Sequence, residues 1–291
     1  TNVTPSIRQF VISYKNNTPR LKGIEIPSNK IIDVPSYSQY IRDKNIGSVI
    51  CSPTSITMLL NRRNENLIVE ETAWSCFDYD YEAFGNWLFN VAFASSLGYE
   101  SFVEYGNLKS LKREIYSGYP VAVSVKYTND INNLEYPYIE NAPITTAGHI
   151  LVVRGFEKKD GIDYVVVNDP AGKSNESVTR RYKLSEFENA WHRGSNIMYV
   201  IHDKKVEINN NRIEASLELK NNKENLYSVL VNDTYLDLSS DFVKTILITY
   251  DNGLTFEYLV PYNNHYLALE NKNKCIIYII GSDGFTYVCN C

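Results

Sequence analysis

The sequence lacks the features that would direct it to a nucleic acid or into a lipid bilayer. No stretch of the 291 residues is dense in lysine and arginine, and the formal net charge is -5. Binding to nucleic acid or to an anionic membrane surface would require a basic patch. No segment approaches the roughly 18 to 20 consecutive apolar residues of a membrane-spanning helix. We therefore predict no nucleic-acid partner and no membrane span.

Cysteine and histidine are also scarce, with five and four residues respectively. The cysteines are Cys51, Cys76, Cys275, Cys289 and Cys291. Because their number is odd, at least one stays unpaired within a monomer. No two of them have the C-x-x-C spacing of a zinc site, and no other motif indicates a cofactor. We therefore predict an activity that uses neither a metal nor a cofactor.

The sequence does contain enough apolar surface for a core, because 44% of its residues are hydrophobic. In residues 31–203, helix-like segments come first and strand-like segments follow. This order is typical of an α+β fold with an antiparallel sheet. The predicted helices are 54–63, 86–98 and 108–118, and the predicted strands are 119–127, 149–157, 163–171 and 196–202.

The two flanking regions have a different character. Residues 1–30 combine a strand-like run at 9–14 with a polar run, which indicates an N-terminal arm or the end of a preceding module. The chain begins at Thr1 without methionine, as a mature secreted form or an excised fragment would. A polar stretch from residue 204 is followed by short strands only. This pattern predicts a small β-sandwich over residues 204–291, without a catalytic motif.

Cys51 stands directly before a proline-containing helix start, in SVICSPTSITMLL (48–60). Pro53 suits a first helical turn because no N–H partner is needed there. The positive end of a helix dipole lowers the pKa of a thiol beside it, and the first N–H groups can stabilise an oxyanion. On these residues alone two interpretations stay open. Cys51 is a nucleophile, or it packs in the core as free cysteines often do.

His149 is the only one of the four histidines that begins a predicted strand, in TAGHILVVRGF. The next strand ends at Asn168 and Asp169, and a hairpin would return one of these side chains to His149. A carboxylate or amide there would fix the imidazole tautomer through the ring N–H. Successive strand residues point to opposite faces, so a regular strand cannot direct both to His149. A structural histidine followed by an ordinary turn is the alternative.

Gln39 lies in DVPSYSQY, twelve residues before Cys51. Its side-chain N–H would complete an oxyanion hole if it lay beside the backbone N–H of Cys51. A glutamine in a loop before a helix is otherwise simply solvated.

The order of these motifs resembles the papain-like cysteine peptidases, and specifically a free-standing bacterial member of the bacteriocin-processing, double-glycine-cleaving branch. The matching segments are DVPSYSQY, CSPTSITMLL, GNWLFNVAFA, SGYPVAVSV, GHILVVRGF, VNDPA and RRYKLSEFENAW, over about residues 31–202. The resemblance implies Cys51 as nucleophile, His149 as general base and acid, Asp169 as orienting residue and Gln39 as oxyanion donor. Ser52 departs from the family, in which glycine commonly follows the cysteine.

These motifs predict a cysteine peptidase or amide hydrolase that acts on a peptide or protein substrate through a Cys51 acyl-enzyme. Two alternatives stay open: an inactive peptide-binding or adhesion module, and a peptidoglycan amidase. The oligomeric state is not indicated by the sequence.

The C-terminal tail gives one indication of the compartment. KCIIYIIGSDGFTYVCNC is predicted to be a hairpin that turns at 281–284 and brings Cys275 opposite residues 289–291. We expect one disulfide, from Cys275 to Cys289 or Cys291, if the protein is exported. An extracellular or cell-envelope location is the prediction, and a cytoplasmic one stays open.

Overall fold

The computed structural model describes residues 10–12, 29–208, 212–269 and 274–291. The chain divides into two compact units, Thr1–Ile208 and Asn209–Cys291. The domain limits drawn from the sequence, at residues 31 and 204, stay predictions. Most of the predicted N-terminal arm, including most of the strand-like run at 9–14, lies outside the described residues. The part of that run that is described, residues 10–12, is not in a strand.

Among its described residues, the first unit contains the three predicted helices and two that were not predicted. In chain order the helices are α1 (Cys51–Asn61), α2 (Val69–Ser75), α3 (Trp87–Ser96), α4 (Leu108–Ser117) and α5 (Leu184–Arg193). Helix α1 begins at Cys51, three residues before the predicted start. Helix α4 ends where Gly118 adopts a left-handed conformation with φ of 96°, which glycine tolerates without steric cost.

The strands of the first unit form one seven-stranded sheet. In chain order they are β1 (Lys30–Ile31), β2 (Tyr99–Tyr105), β3 (Val121–Tyr127), β4 (Thr146–Lys159), β5 (Ile162–Asn168), β6 (Thr179–Lys183) and β7 (Ile197–Lys204). The spatial order is β2-β7-β3-β4-β5-β6, with β1 beside β4. All pairings are antiparallel, which confirms the predicted α+β fold with an antiparallel sheet.

Helix α1 packs against β4 and β3 and brings its first residue to the sheet. Its apolar residues Ile56, Met58 and Leu60 are fully buried. The helix is also attached by a polar contact, because the Ser55 hydroxyl donates to the carbonyl of Ile150 on β4 at 3.2 Å. The start of α1 is therefore held beside the beginning of β4.

All regular elements described in the second unit are strands. They are β8 (Arg212–Asn221), β9 (Leu226–Val231), β10 (Thr234–Tyr235), β11 (Val243–Thr249), β12 (Glu257–Tyr258), β13 (Leu267–Ala268), β14 (Ile276–Gly281) and β15 (Thr286–Asn290). They follow one hydrogen-bonded order, β10-β9-β8-β15-β14-β11-β12, with β13 beside β9. The β15–β8 pair is parallel. A sheet-rich second unit is thus present, and its packing as a sandwich stays a prediction.

The predicted tail hairpin is formed by β14 and β15. A disulfide joins Cys275 to Cys291, one of the two predicted pairings, and Cys289 is a buried free thiol. Among the helices of the described residues, none has both the length and the apolar character needed to cross a membrane.

Candidate active site

Cys51 is the first residue of α1, and its side chain is half-buried. The two residues that follow it, Ser52 and Pro53, are buried, so Cys51 is the most exposed residue of the first helical turn. The Ser52 hydroxyl lies 2.9 Å from the hydroxyl of Tyr199 in the interior. The residue that departs from the family pattern therefore directs its side chain into the core.

His149 contacts Cys51 from the neighbouring strand. It lies near the start of β4, opposite Val125 of β3, and is 4% exposed. Its Nε2 atom is 2.8 Å from Oδ1 of Asp169, and the imidazole is close enough to the Cys51 side chain for each group to shift the pKa of the other. Because Asp169 occupies Nε2, Nδ1 is left to face the sulfur.

The β4–β5 hairpin brings Asp169 to His149, as the sequence indicated. Asn168 is the last residue of β5 and pairs with Val152 of β4, and Asp169 follows it directly. The Asn168 amide points the other way and donates to the carbonyls of Val34 and Pro35 at 3.2 and 3.0 Å. Only Asp169 of these two neighbours therefore touches the imidazole, which matches the alternation of a regular strand.

Two tyrosines that the sequence analysis did not identify complete the surroundings of Asp169. The hydroxyls of Tyr127 and Tyr182 each donate to Oδ2 of Asp169 at 2.8 Å. Tyr127 ends β3 and Tyr182 lies in β6, and both are fully buried. Tyr127 ends a predicted strand, and Tyr182 lies in the matching segment RRYKLSEFENAW, but neither signal assigns a role to one tyrosine among 23.

The electrostatics of the three groups favour an ion pair between Cys51 and His149. Removal from water raises the pKa of the Cys51 thiol, but the charge and hydrogen bond of His149 and the backbone N–H groups of Ile150 and Ser52 outweigh it and lower the pKa overall. Burial lowers the pKa of His149, but Asp169 and Cys51 outweigh burial and raise this pKa to about 10. Between these two pKa values the sulfur is a thiolate and the ring an imidazolium.

The pKa of Asp169 is lowered by the same arrangement. Burial alone would raise it, but the charge of His149 and the hydrogen bonds from His149, Tyr182 and Tyr127 lower it below the ordinary value. A buried charge is tolerated when it is paired and hydrogen-bonded. Asp169 therefore remains a carboxylate in the interior.

Gln39 lies in a 3-10 helix (Gln39–Ile41) and is 2% exposed. The alternative that its side chain is simply solvated is therefore wrong. Its Nε2 donates to the carbonyl of Gly47 at 2.8 Å, and its backbone N–H donates to the carbonyl of Pro170 at 2.9 Å. A Cβ at Gly47 would lie 2.8 Å from the Gln39 carbonyl oxygen, so this approach requires glycine. The bond to Gly47 fixes the amide orientation, and the second N–H of Nε2 is left for another acceptor.

The comparisons with known proteins identify the family of the chain. The model of the Peptidase_C39 like family matches residues 31–198. The chain belongs to this family. As a C39-like protein it is a cysteine peptidase, and the papain-like resemblance is confirmed. No curated protein matches the chain.

Solved structures similar to this C39-like peptidase are distant in sequence. A C39-like peptidase from Bacillus anthracis is 16% identical, covers 62% of this chain and 100% of its own, and has a TM-score of 0.46. A double glycine motif protease from an AMS/PCAT transporter, solved with a leader peptide, is 17% identical, covers 59% and 93%, and has a TM-score of 0.40. Digestive procathepsin L 3 of Tenebrio molitor is 14% identical, covers 66% and 73%, and has a TM-score of 0.43.

Proposed function

We propose that this C39-like protein hydrolyses amide bonds of peptide or protein substrates through a Cys51 acyl-enzyme. The Cys51 thiolate attacks the carbonyl carbon, and the imidazolium of His149 gives its proton to the leaving amine. Water then attacks the thioester, His149 takes a proton from that water, and the thiolate leaves as the carboxylic acid is released.

One observation carries the proposal: the imidazole of His149 lies 2.8 Å from Asp169 and is electrostatically coupled to Cys51 at the start of α1. A nucleophile, a base in contact with it and a group that orients the base form the minimal set for this chemistry. A cysteine that only packs in the core does not need a buried histidine beside it, nor a carboxylate that orients this histidine. The same observation favours an enzyme over an inactive binding module.

The oxyanion that forms at the substrate carbonyl needs donors. The backbone N–H of Cys51 is at a helix start, where the first N–H groups lack intrahelical acceptors. We assign the second donor to Gln39, whose Nε2 is held by Gly47 just before α1. Together they would stabilise the developing charge.

The substrate and the compartment form part of the same proposal. A peptide or protein is the expected substrate because the chain belongs to a peptidase family. Peptidoglycan stem peptides are the second candidate. The disulfide between Cys275 and Cys291 supports an oxidising, extracellular or cell-envelope location.

A pair of cysteine variants tests the proposal. Hydrolysis of labelled casein and release of peptides from purified peptidoglycan are measured for the wild type, Cys51→Ala and Cys76→Ala. We expect Cys51→Ala to abolish turnover on the active substrate and Cys76→Ala to retain it. Casein cleavage supports the peptidase, and cleavage of peptidoglycan alone supports the amidase. A folded Cys51→Ala variant with wild-type turnover would refute the acyl-enzyme.

A further inference from the structure

The carboxylate of Asp169 has an unusually complete set of donors. An ionised carboxylate offers about four acceptor sites, and four groups donate to this one. Oδ1 accepts from His149 at 2.8 Å and from the backbone N–H of Ala171 at 3.0 Å. Oδ2 accepts from the hydroxyls of Tyr127 and Tyr182 at 2.8 Å each. The orientation of the carboxylate is therefore fixed by both oxygens.

The two hydroxyls come from strands on either side of the β4–β5 hairpin. Tyr127 lies on β3, next to β4, and Tyr182 on β6, next to β5. The Tyr127 ring also stands edge-on to the His149 ring, with centroids 5.9 Å apart and an interplanar angle of 87°. Tyr127 therefore contacts both the carboxylate and the imidazole.

Both hydroxyls act as donors in this arrangement. Burial, followed by the charge of Asp169, raises the pKa of Tyr127 and of Tyr182 well above the ordinary value. Each hydroxyl keeps its proton and directs it at Oδ2. An asparagine at 169 that kept its oxygen on His149 would place its amide nitrogen against these two donors. The pair therefore selects a carboxylate at this position.

We propose that Tyr127 and Tyr182 are positioning residues, which hold Asp169 as an oriented carboxylate and through it maintain the Cys51–His149 ion pair. This inference rests on the proposed function. Both hydroxyls act through Asp169, to which they donate. Their removal should therefore change the proton equilibrium of the pair and not only stability.

The titratable and charged groups around Asp169 come from five elements. They are His149 on β4, Tyr127 on β3, Tyr182 and the nearby Arg180 on β6, Tyr40 in the 3-10 helix, and Cys51 on α1. The tyrosines differ from the others in that both donate directly to Oδ2. Their loss leaves Asp169 buried with two fewer donors, which raises its pKa.

The test compares Tyr127→Phe, Tyr182→Phe and the double variant with a matched control, Tyr99→Phe. Tyr99 is also a buried tyrosine that donates to a carboxylate, that of Glu65, but it lies on β2, which β7 and β3 separate from β4. The rate of iodoacetamide alkylation of Cys51 is measured against pH for each variant, together with kcat on casein and the thermal midpoint. Alkylation needs no knowledge of the natural substrate.

The alkylation rate of Cys51 falls at low pH, and we call this part of its pH profile the acid limb. We expect each single variant to move the acid limb to higher pH by about one unit, because Asp169 then protonates at higher pH and the imidazolium loses its partner. The double variant should move further and lose about tenfold or more in kcat with KM little changed. Tyr99→Phe should lower the thermal midpoint and leave the acid limb of Cys51 alkylation unchanged.

Two other results would overturn the inference in distinguishable ways. In the first, Cys51 is labelled fast in the wild type, and the folded single variants keep the wild-type acid limb and kcat. This result would refute the role of the tyrosines and leave the proposed function intact. Slow labelling of Cys51 in the wild type would refute the proposed function and the inference with it.

Discussion

Two cysteines at opposite helix ends show what makes a thiol reactive in this fold. Cys51 opens α1, where unpaired N–H groups lie, and His149 contacts its sulfur. Cys76 caps the C-terminus of α2, where carbonyls end the helix, and it is fully buried. Burial alone raises the pKa of Cys76 far above its ordinary value. Burial raises the pKa of both thiols, so the helix end and the charged partner decide which becomes a thiolate.

The largest expected effect comes from removing the group that distinguishes the surroundings of Cys51. Asp169→Ala should lower kcat by about 10³–10⁴-fold, because the imidazolium loses its orientation and its counter-charge. It should also slow alkylation of Cys51 toward the rate of Cys76. Asp169→Asn should retain partial activity, above that of Asp169→Ala, because its amide oxygen still accepts the ring N–H although its nitrogen then faces the hydroxyls of Tyr127 and Tyr182.

Asn168→Ala is the matched control for this prediction. Its amide faces the carbonyls of Val34 and Pro35 and not the imidazole, so a much smaller change in kcat is expected. Thermal melts accompany both assays because either residue stabilises the turn. A dead Asn168→Ala beside a folded, fully active Asp169→Ala would reverse the assignment.

Gln39→Ala should have the next largest effect and should separate thiol reactivity from oxyanion stabilisation. We expect kcat to fall about a hundredfold, while the alkylation rate of Cys51 stays close to wild type, because Gln39 is not among the groups that lower the Cys51 pKa. Parallel measurement of kcat and alkylation on one preparation checks this. Equal losses in both would show that Gln39 supports the start of α1 and does not serve as a donor.

A pH series should separate the two partners of the ion pair. The pKa of His149 is raised to about 10, so above that pH the imidazolium loses the proton that it gives to the leaving amine. We expect turnover to fall about tenfold per pH unit there, while alkylation of Cys51 does not fall, because the sulfur remains a thiolate. Alkylation that declines together with turnover would indicate unfolding or a different base.

Cys76→Ala should give the smallest effect on activity. It removes a buried sulfur from the core, and we expect the free energy of unfolding to fall by about 1–2 kcal/mol, with kcat within about twofold of wild type. Denaturant unfolding and casein hydrolysis measure the two quantities. A large loss of kcat in a folded Cys76→Ala variant would connect this helix end to the site.

Much of the site could be predicted because its residues stand at clear changes of pattern. Cys51 precedes the apolar face of α1, His149 begins a run of buried β residues, and Asn168 and Asp169 end the next strand. Strand alternation indicated that only one of the last two faces the imidazole, and the family resemblance favoured Asp169. The other inferences used only local sequence and one hairpin.

The tyrosine donors to Asp169 could not be predicted, because they depend on which strands neighbour the hairpin. Tyr182 lies in β6, a five-residue strand of largely polar residues without the apolar alternation that would predict a strand. The order β3-β4-β5-β6 brings it to the carboxylate. Its segment, RRYKLSEFENAW, is part of the family resemblance, but the resemblance gave Tyr182 no role.

Several elements were missed for local reasons. Helix α2 has only seven residues, too few for a clear helical period. Helix α5 did carry a signal, with Phe187, Ala190 and Trp191 on one buried face, which the sequence analysis did not use. Strand β8 is mostly exposed or half-buried. Its polar residues were therefore interpreted as part of the segment between the two domains.

The central claim is that Cys51 is a thiolate and Cys76 is not, and one labelling experiment tests it directly. The native protein is treated with iodoacetamide near neutral pH, and the labelled peptides are quantified over time by mass spectrometry. The thiolate pKa expected at such a helix start, roughly 3.5 to 7.5, predicts labelling of Cys51 at least about a hundredfold faster than Cys76, with the difference abolished in urea. Equal, slow labelling of both cysteines in the native protein would contradict the account.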